Sequence, residues 1–177
     1  MKILRRLLLG LIITLSGLNL YALDTAKVIR VVDGDTLKIE LKGKKESIRL
    51  IGIDTPESRA NKKAYKDAYK SKQTIETIIG LGKRATAYVK TLVNAGDTVK
   101  IEYDVQKRDK YKRLLGYVYL SSGEMLNENI IRAGYASLMT YPPDVKYVER
   151  FQKAYKEARV YLWTKNKKLS KSTLTNL

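Results

Sequence analysis

The stretch K-V-I-R-V-V-D-G-D-T-L-K-I-E-L, residues 27–41, decides the fold. Two runs rich in β-branched and aliphatic residues, 27–32 and 35–41, flank Asp33-Gly34. Asp-Gly between strand-like runs marks a tight hairpin, because both residues accept the left-handed backbone of such a turn. A third strand-like run follows, S-I-R-L-I-G-I at 47–53. Its apolar positions are Ile48, Leu50 or Ile51, and Ile53, and Pro56 ends regular structure.

Downstream, 61–79 predicts a helix carrying Lys62, Lys63, Lys66, Lys70 and Lys72, with Tyr65 and Tyr69 on one face. Gly80 and Gly82 break it. Residues 83–95 predict a second helix, with Ala85, Tyr88, Val89 and Leu92 inward and Gly96 closing it. Two strands, 97–105 and 113–120, are joined by the polar loop Gln106 to Lys112. A short helix at 124–133 and a longer one at 144–162 complete the pattern. The longer one has the stripe Val148, Phe151, Ala154, Tyr155 and Ala158. Five short strands with a helix between the third and fourth suit a partly open Greek-key barrel, the OB-fold, in a mainly β chain with α.

Lys and Arg number 35 against 18 Asp and Glu, a net charge of +17. That excess points to a polyanionic partner, nucleic acid first, with membrane lipid and acidic polysaccharide as alternatives. There is no Cys and no His. Thiol or imidazole chemistry and a Cys/His zinc site are therefore excluded. Residues 1–22 have a basic head (Lys2, Arg5, Arg6), an apolar run from Leu7 to Leu18 and a small residue at Ala22. This is the layout of an export signal, so the chain is expected in the periplasm or medium; a retained N-terminal anchor is the alternative. The domain is then 23–165, followed by a Lys-, Ser- and Thr-rich tail, 166–177, expected to be flexible.

Acids are the scarcer charge, so their placement is informative. Asp33, Asp35, Asp54 and Glu57 fall at strand ends, which an antiparallel meander can bring side by side. Two carboxylates, a backbone carbonyl and waters suit a hard cation, and calcium accepts such a set more loosely than magnesium. Taken singly, each acidic pair reads first as ordinary structure, Asp33-Gly34-Asp35 as a plain turn and Asp54-Thr55-Pro56-Glu57 as a capped strand exit. Arg49 shares the parity of Ile51 and Ile53, so it either snorkels outward or points into a functional cavity. Arg113 opens the fifth strand, and a guanidinium can hold two phosphate oxygens at once.

Together, V-V-D-G-D-T-L-K-I (31–39), I-R-L-I-G-I-D-T-P-E (48–57), R-D-K-Y-K-R-L-L-G-Y-V-Y (108–119), M-L-N-E-N-I-I-R-A-G-Y-A (125–136) and a tail helix ending Leu162-Trp163 resemble the staphylococcal nuclease (thermonuclease) family. The resemblance runs from about Lys27 to Trp163. It implies a five-stranded OB barrel with three helices, here with an extra helix after the third strand. It also implies a Ca²⁺-dependent endonuclease acting on DNA and RNA and leaving 3′-phosphate ends. By the same resemblance Asp35, Asp54 and the Thr55 carbonyl hold the ion, and Asp33 reaches it through water. Glu57 is the general base or the group that positions the attacking water, and Arg49 and Arg113 grip the scissile phosphate. Lys110 and Tyr111 hold a neighbouring phosphate, and Tyr141 packs beside the nucleotide.

The chain departs from the family at three places. Met139 stands where a second nucleotide-flanking tyrosine is usual. Lys112 replaces a glycine before Arg113. The segment after Glu57 is longer, and its Tyr65–Lys72 stripe reads either as a solvated helix or as a lid tracking the substrate. A non-catalytic nucleic-acid-binding barrel is the competing function, and presence of Asp35, Arg49, Asp54, Glu57 and Arg113 together favours the enzyme. An envelope protein binding anionic lipid is the third reading. A monomer without a protein partner is expected.

Overall fold

The computed structural model describes residues 23–175, with side chains from 23 to 161. The expected export signal and the side chain of Trp163 lie outside that range. In chain order the elements are β1 (Asp24–Asp33), β2 (Thr36–Leu41), β3 (Lys44–Leu50), β4 (Gly52–Asp54), α1 (Lys62–Ser71), α2 (Ile75–Leu92), β5 (Thr98–Glu102), β6 (Leu114–Tyr119), α3 (Leu126–Arg132), β7 (Ser137–Met139) and α4 (Val148–Thr175).

Five strands close a barrel in the order β1-β2-β3-β6-β5. The β3–β6 pair is parallel and the other four are antiparallel. This is the expected OB barrel. Alternation along β2 and β3 sends Leu37, Ile39, Ile48 and Leu50 inward, where they meet Ile101, Leu114 and Val118. Burial of each such side chain contributes about 1.5–3 kcal/mol relative to exposure. From α3, Leu126, Ile130 and Ile131 complete the same core, and Phe151 and Ala154 of α4 pack against it.

The run 47–53 is not one strand. The barrel strand ends at Leu50, and Gly52–Asp54 pairs with β7 in a separate two-stranded sheet. A buried amide anchors the bend. Asn127 Oδ1 accepts from the Val118 N–H (3.0 Å), while its Nδ2 donates to the carbonyls of Ile51 (2.9 Å) and Gly116 (3.4 Å). Gly52 turns with φ +82°, and a Cβ there would sit 2.5 Å from the Phe151 ring. The parity expected to join Arg49 to Ile51 and Ile53 is therefore broken. Arg49 instead alternates with the buried Ile48 and Leu50.

The helical boundaries also differ from expectation. The helix expected over 61–79 stops at Ser71, where Lys72 turns left-handed at φ 54°. Thr74 then caps α2 by accepting from the Thr77 N–H (3.2 Å), and α2 runs through Gly80 and Gly82 to Leu92. Gly82 is a contact point rather than a breaker. A Cβ there would fall 2.3 Å from the carbonyl carbon and oxygen of Glu57. Only glycine lets α2 approach the segment that carries Glu57. At the other end, residues 166–175 belong to α4. No helix among the described residues is long and apolar enough to cross a membrane.

Candidate active site

Three chain segments converge on Arg49. It sits one residue from the end of β3, opposite Thr36 of β2, and its guanidinium is largely buried. One terminal nitrogen lies 2.8 Å from Asp35 Oδ2 in the β1–β2 turn, and the other 2.8 Å from Asp54 Oδ1 at the end of β4. The bend at Ile51 makes this possible, because a straight strand would carry Asp54 away along the barrel.

Asp35 is held by more than charge. Its Oδ2 accepts from the Thr55 N–H (2.8 Å) and hydroxyl (2.9 Å), and its Oδ1 from the Thr36 hydroxyl (3.1 Å). These bonds tie the first hairpin to the segment after β4. Asp33 Oδ1 in turn accepts from the Asp35 N–H (3.2 Å). Burial, and then the neighbouring Asp35 charge, push Asp33 up to about 6. Burial also lifts Asp54 above the ordinary aspartate value, and the nearby Lys63 and Arg49 offset only part of that rise.

Glu57 faces the same region. Its Oε2 accepts from Asn61 Nδ2 (2.7 Å), and Asn61 Oδ1 at once caps α1 by accepting from the Ala64 N–H (2.9 Å). Its Oε1 lies 3.4 Å from the Lys63 ammonium. That ammonium also lies 3.2 Å from Asp54 Oδ2 and 3.1 Å from the Thr55 carbonyl. Asp35, Arg49, Asp54, Thr55 and Glu57 are thus gathered in one connected network.

Arg113 is not part of that network. It directly precedes β6, the strand beside β3, and its Nε donates to Asp109 Oδ2 (2.7 Å). Its guanidinium lies 5.6 Å from the Tyr111 ring centre, and Lys110 lies 5.2 Å from the same ring. Tyr111 and Tyr141 are exposed, as is Met139 on β7. Lys112 takes φ 64°, the left-handed region where glycine is at ease.

Four residues that shape the site escaped sequence reasoning: Asn61, Lys63, Gly82 and Asn127. Lys63 is one of five lysines in its stretch, and nothing local separates it from the solvated ones. An Asn three residues before Ala64 was a legible helix cap, but its second bond to Glu57 was not.

A family model described as staphylococcal nuclease homologue matches residues 47–165. The chain belongs to that family. The match includes Arg49, Asp54, Glu57 and Arg113 and starts after the Asp33–Asp35 turn. Among relatives of this family member, "Thermonuclease" of Staphylococcus hyicus is 37% identical over 144 residues, covering 81% of this chain and 76% of that protein. "Thermonuclease" of Staphylococcus intermedius is 35% identical over 139 residues, covering 77% and 74%. "Endonuclease YncB" of Bacillus subtilis (strain 168) is 33% identical over 142 residues, covering 77% of this chain and 60% of that protein.

Proposed function

We propose that this staphylococcal nuclease homologue is an exported, Ca²⁺-dependent endonuclease that hydrolyses phosphodiester bonds in DNA and RNA and leaves 3′-phosphate ends. The single observation that carries the reading is the Arg49 guanidinium bridging Asp35 and Asp54, at 2.8 Å from each, beside Glu57 on its asparagine anchor. Similarity to proteins named thermonuclease and endonuclease supports the nuclease class. The basic head and apolar run of residues 1–22 support export.

The donor set suits a hard cation. Asp54 Oδ2 and the Thr55 carbonyl already face a positive group, the Lys63 ammonium, and Asp35 lies 2.8 Å from the Thr55 nitrogen. No group of three or more carboxylates forms a metal cluster among the described residues. By the family resemblance Asp35, Asp54, the Thr55 carbonyl and waters would hold the ion, a mixed oxygen shell that calcium tolerates better than magnesium. When bound, Ca²⁺ supplies fixed positive charge beside the phosphoryl oxygens.

The side chains account for the rest. Attack of water on phosphorus forms one P–O bond and breaks the bond to the 5′ oxygen, and extra negative charge gathers on the remaining oxygens. Arg49 spends donors on Asp35, Asp54 and the Leu50 carbonyl, which leaves others of its five N–H groups for a phosphate oxygen. Among the described residues the Arg113 guanidinium donates through Nε, to Asp109, so its terminal nitrogens can take a second oxygen. Such preorganised donors stabilise the charge where it develops. Glu57 takes the proton of the attacking water, and the departing 5′ oxygen takes a proton from solvent. Lys110, Tyr111 and Tyr141 lie exposed, where flanking phosphates and bases would run.

Digestion of plasmid and single-stranded RNA by residues 23–177 tests this. Both should be cut with Ca²⁺, cutting should stop in chelator, and the ends should carry 3′-phosphate. Undiminished cutting in chelator would overturn the calcium reading, and 5′-phosphate ends would overturn the direction of attack. Export is tested by fractionating cells that express the full chain: retention in the cytoplasm would reject it.

A further inference from the structure

The insertion helix α1 turns back toward the carboxylates it follows and delivers a lysine to them. Lys63, in its first turn, places its ammonium 3.1 Å from the Thr55 carbonyl, 3.2 Å from Asp54 Oδ2, 3.4 Å from Glu57 Oε1 and 3.3 Å from Asp67 Oδ2. The first two oxygens are ones assigned above to the ion. An ammonium and a divalent cation seek the same hard oxygen atoms, and like charges cannot occupy one cage. The backbone carbonyl is the telling contact. A surface ion pair needs only carboxylates, whereas this lysine also covers a neutral ligand oxygen.

The helix does not depend on that side chain for its position. Asn61 caps α1 and bonds to Glu57. Ala64 and Ala68 are buried against Ile78, with Ile75 and Leu81 packed alongside. The lysine can therefore swing while α1 stays docked. One turn further on, Asp67 offers it a partner outside the cage.

We propose that Lys63 is a built-in competitor for the divalent ion, occupying the Asp54–Thr55 oxygens until the ion displaces it toward Asp67. The inference rests on the calcium reading of the site. It makes Lys63 a residue that sets the ion concentration at which the enzyme becomes competent. It also means that the carboxylates keep a counter-charge before the ion arrives.

Calorimetric titration of the purified protein with CaCl₂ tests it, with thermal melts confirming that each variant folds. Lys63→Met should bind Ca²⁺ about tenfold tighter than the natural protein. Lys62→Met, which removes the same charge one residue away, should change affinity by less than about twofold. Asp67→Asn should weaken binding when Lys63 is present, and by clearly less in the Lys63→Met background. Lys63→Gln serves in place of methionine if the latter fails to fold. Equal or weaker binding by Lys63→Met overturns the competition while leaving the calcium reading standing. So does a Lys62→Met effect as large as that of Lys63→Met. Absence of Ca²⁺ binding in every form overturns both.

Discussion

Asp33, at the end of β1, and Asp54, beside Arg49, are both lifted above the ordinary aspartate value, Asp33 to about 6, with burial the leading cause in each. Glu102, at the end of β5, and Glu128, on α3, are also buried, yet both are held below the ordinary glutamate value. Burial pushes these glutamates up as well, and the difference lies in what surrounds them. Glu102 has Lys146 and accepts from the Tyr119 (2.7 Å) and Tyr147 (2.9 Å) hydroxyls. Glu128 is gripped by Arg132 (2.8 Å) and Arg150 (2.7 Å). Asp33 accepts from a backbone N–H beside the like charge of Asp35, and at Asp54 the nearby Lys63 and Arg49 do not cancel the cost of burial, whereas hydrogen bonds from side chains outweigh it at both glutamates. A carboxylate completed by protein partners stabilises the fold, and one whose burial outweighs its partners is held at some cost in stability.

The largest expected effect breaks the comparison at its aspartate side. Arg49→Lys keeps the charge but loses the planar fork that spans Asp35 and Asp54. Turnover in a plasmid assay should fall about 10³-fold with little change in melting temperature. A collapse of folding with unchanged specific activity would make Arg49 a structural residue only.

Glu102→Gln probes the completed side. Urea titration at pH 7 should show a loss of about 2 kcal/mol, with activity per folded molecule unchanged. Because the folded value of Glu102 is depressed, its contribution is present above the ordinary 4.5 and is lost as pH falls through the lower folded value. The gap between natural and variant protein should therefore close in acid.

Asp33→Asn should do the opposite. Its folded value is raised from 3.8 to about 6, so the ionised form costs stability above that pH. In chelator at pH 7.5 the variant should be more stable by about 1–2 kcal/mol, a figure reduced for the partial exposure of the side chain. The gain should vanish below pH 3.8. A loss of stability instead would mean that the bond from the Asp35 N–H, which favours the ionised form, outweighs burial.

The smallest effect concerns Lys112, which carries a left-handed backbone just before Arg113. Lys112→Gly should relieve the strain and add about 0.5–1 kcal/mol, lessened by the greater freedom of glycine in the unfolded chain. An unchanged or lowered stability would show that its contacts in the loop outweigh the strain.

Much of the barrel was readable from local pattern. Asp33-Gly34 between two β-rich runs marks the first hairpin, and the alternation of Leu37, Ile39, Ile48 and Leu50 gives its inward face. The candidate site residues on these elements, Asp35, Arg49, Asp54 and Glu57, were picked out by their order and spacing, and the structure gathers them in one network. The break of the third strand was not, since Ile51 is as good a strand residue as its neighbours. The bend is held by Asn127, 76 residues away. Gly82 misled for a related reason: glycine in a helical stretch signals a break when read locally, but here it serves the approach of Glu57.

The sequence by itself determined a basic, cysteine- and histidine-free barrel with carboxylates at its strand ends, because charge and periodicity act through neighbours along the chain. Only the tertiary structure decided which of those carboxylates gather around Arg49, and which of five lysines returns to them. That choice rests on distances of about 3 Å between segments remote in sequence, where a small bend in the backbone determines whether an ion pair forms at all.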